Sequence, residues 1–153
     1  MYYRCQMMWP ALALVLVFQT ATGQTMLDQY KWNSRMLLVF APSDQDPRYA
    51  ATRLEAQAAA CQIQDRDLVI AWLPLSGPSH LGKRPLAADA QQRLRGRYRI
   101  GTDDFVVVLI GKDGGEKDRS EDIPDLKGLF SLIDSMPMRQ SEMAARPADC
   151  GSD

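Results

Sequence analysis

An α/β fold, one domain with a central mixed sheet flanked by helices, is predicted by three stretches of this 153-residue sequence. Residues 36–41 (MLLVFA), 68–73 (LVIAWL) and 105–110 (FVVVLI) are continuous apolar runs. A strand with one wet face alternates polar and apolar residues, so runs this continuous belong to strands covered on both sides. One helical segment separates the first two runs, the spacing that a βαβ unit with a parallel pair requires.

Residues 1–23 are read apart from the domain. Arg4 supplies a positive n-region, residues 11–18 an apolar h-region, and Ala21-Thr22-Gly23 small residues for cleavage, together the pattern of a secretory signal peptide. The h-region falls short of the roughly 20 apolar residues a bilayer span needs. The prediction is a periplasmic or secreted protein with no stable membrane span after cleavage, an uncleaved anchor being the alternative. Loss of Arg4 leaves 17 basic and 19 acidic side chains, a net charge of −2, which argues against nucleic acid as a partner. Composition, 46% apolar and 24% charged, suits one domain with a real core.

Residues 24–34 form a polar lead-in whose Leu27, Tyr30 and Trp32 are the groups that would dock it. The domain proper is placed at 35–146. Its first strand ends at Pro42, after which Asp44 or Asp46 can cap a helix and Pro47 suits the first turn. That helix is expected to reach about Ile63, with Ala50, Leu54, Ala58 and Cys61 spaced along the face that packs on the sheet. The second strand follows at 68–73. Residues 74–85, with Gly77-Pro78, His80 and Gly82, read as a turn-rich loop without regular structure.

A second helix is expected over 87–98. Arg93, Arg95, Arg97 and Arg99 cluster where it ends, which reads either as an anion patch or as a solvated helix end whose cations face the terminal carbonyls. The third strand leads into Lys112-Asp113-Gly114-Gly115. Its Asp-Gly pair tolerates the positive φ of a tight hairpin, so residues 116–120 return as a polar edge strand. Leu126, Leu129, Phe130 and Ile133 have helical spacing within 124–134, and Pro137 breaks or restarts that helix before 138–143. Residues 147–153 are expected to be a disordered tail.

The order β-α-β-α-β-β-α, ending in a hairpin and a helix, is the thioredoxin-like order. The motifs GKDGGEKDRS and IDSMPMRQSEM, with the opening RMLLVFAP, resemble the bacterial secreted domain of unknown function numbered 4174. The same domain type occurs in animal matrix proteins of the sushi-repeat and coiled-coil-domain-80 kind. The resemblance would cover about 27–144, nearly the whole mature chain. It implies a thioredoxin-like fold related to peroxiredoxins, and it transfers no catalytic residue.

A thioredoxin or peroxiredoxin puts its attacking cysteine at the start of the first helix, where backbone N–H groups and the helix dipole lower the thiol pKa. Here residues 40–47 read FAPSDQDP, without sulfur. Nor does a proline precede the third strand, where thioredoxins place one; Asp104 stands there. Cys61 reads as a buried small side chain far along the first helix. An exported chain permits Cys61 to pair with Cys150, while Cys150 is equally placed to stay free or link two chains.

Other constellations are thinner. Gly111-Lys112 lacks the upstream glycine and following Ser or Thr of a phosphate-binding loop. His80 is the sole histidine, too few for a multi-histidine zinc site, and no metal or cofactor is expected. Met136, Met138 and Met143 could hold Cu(I), a soft ion suited to thioethers, though methionines at a helix end usually pack. Arg139 has Glu142 three residues on, and Asp113 or Asp134 if the last segment folds back on the hairpin, placing a structural ion pair there. The expected function is a non-enzymatic binding module for another exported protein or a small ligand. A thiol oxidoreductase using Cys61 and a periplasmic Cu(I)-binding protein are the alternatives.

Overall fold

The computed structural model describes residues 26–146 and Cys150. The signal-peptide reading of 1–23 and, Cys150 apart, the tail from 147 lie outside the described residues. A short 3-10 turn (Asp28–Tyr30) precedes β1 (Arg35–Ser43), α1 (Pro47–Ala58) and α2 (Ala60–Asp65). Then come β2 (Leu68–Ser76), β3 (Ser79–Leu81), β4 (Arg84–Leu86), α3 (Ala88–Tyr98), β5 (Val106–Ile110), β6 (Glu116–Ser120), α4 (Leu126–Asp134) and α5 (Pro137–Ala145). The sheet has six strands in the order β4-β3-β2-β1-β5-β6. β1 lies parallel to β2, with Phe40 opposite Leu73, and antiparallel to β5, with Leu38 opposite Val108.

Side chains alternate faces along a strand, so β1 divides its apolar run by parity. Met36, Leu38 and Phe40 join Leu94 and Tyr98 of α3 and Leu27 of the lead-in in one buried cluster. Leu37, Val39 and Ala41 join Tyr49 of α1 and Leu126, Leu129, Phe130 and Ile133 of α4 in the other. Two helical layers thus sandwich the sheet, and each large side chain moved from water to these interiors contributes roughly 1.5–3 kcal/mol.

Five sequence expectations are corrected. The first helix does not run to Ile63; it breaks at Ala59 (φ −94°, ψ 20°) into α1 and α2. The face turned inward is Tyr49, Thr52 and Ala56, while Ala50, Leu54, Ala58 and Cys61 are exposed, Leu54 at 68%. Tyr49 decides this orientation: its ring packs edge-on against Trp72 at 5.5 Å between centroids, and Thr52 tolerates burial because its hydroxyl donates to Arg48 O at 2.7 Å. Residues 74–85 are not a structureless loop, since β2 continues to Ser76 and β3 and β4 extend the sheet from its edge. Gly77 and Gly82 make this possible by turning with φ of +119° and +58°. The lead-in docks through buried Leu27 and half-buried Tyr30, leaving Trp32 63% exposed. Lastly, Arg95 is not solvated but buried beneath the strand ends.

No helix among the described residues is long and apolar enough to cross a membrane.

Candidate functional site

The two ends of the sheet differ in chemistry. At one end β1 runs into the start of α1, where Asp46 is the N-cap and accepts from Arg48 N at 2.8 Å. Its carboxylate also takes two bonds from the Arg48 side chain, at 3.1 and 2.7 Å. The Arg48 side-chain bonds hold the Asp46 carboxyl below the usual carboxylate range. Arg48 in turn lies 4.9 Å from the Phe105 ring centroid. The negative charge that a helix N-terminus favours is therefore supplied by Asp46.

Arg95 lies beneath the same end, 6% exposed. It donates to the carbonyls of Gly101 (2.6 Å), Ala41 and, at 3.5 Å, Leu73, joining the ends of β1 and β2 to the turn before β5. Desolvation lowers its pKa, and its Nε has no partner among the described residues.

The opposite end is an ion-pair network. Arg35, 1% exposed, grips Glu142 with two bonds of 3.0 and 3.3 Å and donates to Arg66 O at 2.9 Å. Lys112 Nζ sits 2.7 Å from Glu142 and 2.8 Å from Asp67. Arg139, 2% exposed, donates to both the carbonyl and the carboxylate of Asp65 and, at 3.1 Å, to Asp134. Asp134 receives Arg66 at 2.5 Å, and the Arg66 guanidinium lies 4.7 Å from the Phe130 centroid. Arg146 reaches Asp67 at 3.5 Å.

Four of the five sequence candidates with charged or turn roles meet here: Lys112, Asp134, Arg139 and Glu142. Asp113 does not; it pairs with Lys117 at 2.6 Å and receives Gly115 N at 3.0 Å, shaping the β5–β6 turn. Arg35, Asp65, Arg66 and Asp67 were not singled out from the sequence. Their signal is the parallel register, which sets Arg35 beside Leu68 and so brings the Asp65-Arg66-Asp67 triple to the head of β1.

Burial would raise the carboxyl of Glu142, yet hydrogen bonds from Arg35 and Lys112 overcome it and leave the pKa lowered. Asp67 behaves likewise: desolvation opposes, and Lys112 and Arg146 prevail. Asp67 also holds a left-handed φ of 48°, which aspartate tolerates better than most residues. Desolvation acts to lower the pKa of Arg139, but the bonds to Asp134 and Asp65 raise it. Buried charges of this kind are stable only when every one is paired.

Neither cysteine is among these hydrogen bonds and ion pairs. Cys61 is exposed in the first turn of α2 and is bonded to Cys150, with 5.8 Å between their Cα atoms. The buried-thiol reading of Cys61 is thereby overturned. Met136 packs against the α4 side of the core, Met138 is 41% exposed and Met143 half-buried on α5.

A mixed sheet of this order, flanked by helices, with a sulfur-free junction between β1 and α1, defines a thioredoxin-like domain lacking the usual thiol. Solved structures agree on the fold. The reduced 2-Cys peroxiredoxin of Plasmodium vivax superposes with a TM-score of 0.56 at 14% identity, covering 75% of this chain and 84% of that one. Plasmodium yoelii thioredoxin peroxidase I gives 0.55 at 15% identity, covering 83% and 86%.

The chain belongs to the family described as domain of unknown function DUF4174, whose model matches residues 26–142. It is 31% identical over 127 residues to the sushi repeat-containing protein SRPX of Rattus norvegicus, covering 80% of this chain and 27% of that protein. Coiled-coil domain-containing protein 80 of Danio rerio is 23% identical over 137 residues, covering 79% and 16%. The chain thus spans less than a third of the length of these curated relatives.

Proposed function

We propose that this chain is an exported thioredoxin-like domain that acts by binding, without thiol catalysis, as an interaction module for another exported protein or a small ligand. The observation that carries the reading is Asp46: the position at which the fold would activate a thiolate holds a capping carboxylate tied to Arg48. A bonded Cys61–Cys150 pair suits an oxidising compartment, as does the signal-like N-terminus. The resemblance to animal matrix proteins points the same way.

One observation favours a second reading. Cys61 is exposed, so an external dithiol can reduce the Cys61–Cys150 bond, after which the Cys61 thiolate would attack a substrate disulfide and Cys150 displace the reduced substrate, re-forming the bond. Insulin-reduction and peroxide-consumption assays separate the two. The binding reading expects no turnover above buffer from the wild type. Turnover that vanishes in Cys61→Ser would replace it with the oxidoreductase.

A further inference from the structure

The C-terminal end of α3 and the β5–β6 hairpin flank an open surface cleft of about 330 Å³, lined by Arg97, Tyr98, Arg99, Gly114, Glu116 and Arg119. That volume is within the range of small-molecule sites, roughly 300–1,000 Å³. Three guanidinium groups and one carboxylate line it, the carboxylate being taken up by Arg119. A narrower hollow continues from Arg97, Tyr98 and Gly114 toward Lys31.

Arg97 and Arg99 are two residues apart, and side chains so spaced on a continuing helix do not share a face. They line one cleft because the helix ends between them. Arg99 is the C-cap, at φ 57° and ψ 47°, a left-handed conformation that glycine usually fills. Stabilisation of terminal carbonyls, the ordinary use of cations at a helix end, does not account for Arg99. The carbonyls of Arg95 and Gly96 accept backbone N–H groups of Ile100 and Arg99, and Arg119 approaches Tyr98 O at 3.4 Å. The Arg99 side chain makes no hydrogen bond or ion pair among the described residues.

The other two arginines are held in place. Arg119 is fixed by two bonds to Glu116, at 2.8 and 3.1 Å. The Arg97 guanidinium lies 5.6 Å from the Tyr98 ring centroid. Gly114, at φ +82°, turns the hairpin, with the Lys31 side chain alongside it.

We propose that this cleft binds a phosphate or sulfate ester. Its anionic group is held by Arg97, Arg99 and Arg119, and the remainder of the ligand lies along Tyr98 and Gly114. Planar guanidinium forks match the oxygens of such esters with paired, charge-assisted hydrogen bonds. This deepens the binding-module reading and rests on it.

The test is calorimetric titration of the chain with glucose 6-phosphate, glucose 6-sulfate and, as the uncharged probe, glucose. Saturable binding of either ester and none of glucose is expected, and the ester preferred identifies the anion. Arg99→Gly should weaken binding about tenfold or more, while relief of the left-handed backbone keeps the thermal midpoint at or above that of the wild type. Arg93→Gln, on the same helix but paired outward with Asp89, should bind as the wild type does. The proposal is overturned if neither ester saturates, if glucose binds equally, or if Arg99→Gly and Arg93→Gln weaken binding alike. Failure here with silent thiol assays removes the cleft alone; thiol turnover would instead remove the non-catalytic reading.

Discussion

Arg139 is nearly sealed from solvent, and its guanidinium neutralises Asp65 and Asp134 at once. Truncating it leaves Asp65 and Asp134 to share Arg66 alone, at 3.8 and 2.5 Å, and breaking one side of a buried pair costs about 3–5 kcal/mol. Arg139→Ala should therefore lower the urea midpoint strongly, whereas Arg93→Ala, whose pair with Asp89 is wholly at the surface, should scarcely move it. Equal midpoints for the two variants would mean that the network adds nothing. At this scale the sequence was half legible. Arg139 and Glu142 advertise themselves by sitting three apart on an otherwise ordinary helix. Arg35 does not, because a cation beside an apolar run reads as a boundary until the parallel register reveals the acid that receives it.

At the scale of elements, α5 is fastened to the sheet chiefly through charges. Glu142 bonds Arg35 of β1 and Lys112 after β5, and Arg139 bonds Asp65 at the end of α2. Because the folded-state pKa values of Glu142 and Asp67 lie below their ordinary values of 4.5 and 3.8, the folded state binds fewer protons than the unfolded one. The contribution is complete above those ordinary values and is lost as pH falls through the lowered ones. Unfolding midpoints measured from pH 7 down to pH 3 should thus fall steeply in the acid limb, and Glu142→Gln should flatten that limb while lowering the neutral plateau. An acid limb of unchanged steepness in Glu142→Gln would separate Glu142 from the effect. Strand positions and the hairpin were readable here from apolar continuity and from Asp-Gly. The inward face of α1 was not, since Ala50-Leu54-Ala58 and Tyr49-Thr52-Ala56 share helical spacing, and only the Trp72 ring opposite Tyr49 chooses between them. The short strands β3 and β4 were hidden because their few residues lie among turn formers.

Across the whole molecule, the topology was legible because three two-sided strands and their connections admit few arrangements. The cationic cleft was not, for it joins segments far apart in sequence around a helix end. The Cys61–Cys150 bond spans 89 residues, and a chain-entropy estimate for so long a loop is about 4 to 5 kcal/mol. Cys61→Ser should lower the denaturant midpoint with the fold intact by circular dichroism. A midpoint equal to that of the oxidised wild type would show that the bond leaves the unfolded ensemble unconstrained. One further feature bears on how such a domain is carried in a larger polypeptide. Trp32 N–H meets Lys112 O at 2.6 Å and Arg146 meets Asp67 at 3.5 Å, so residues 32 and 146 both lie at the end of the sheet that carries the ion-pair network. A segment joined before Trp32 or after Arg146 would therefore start from the opposite end of the sheet to Asp46, which follows the far end of β1.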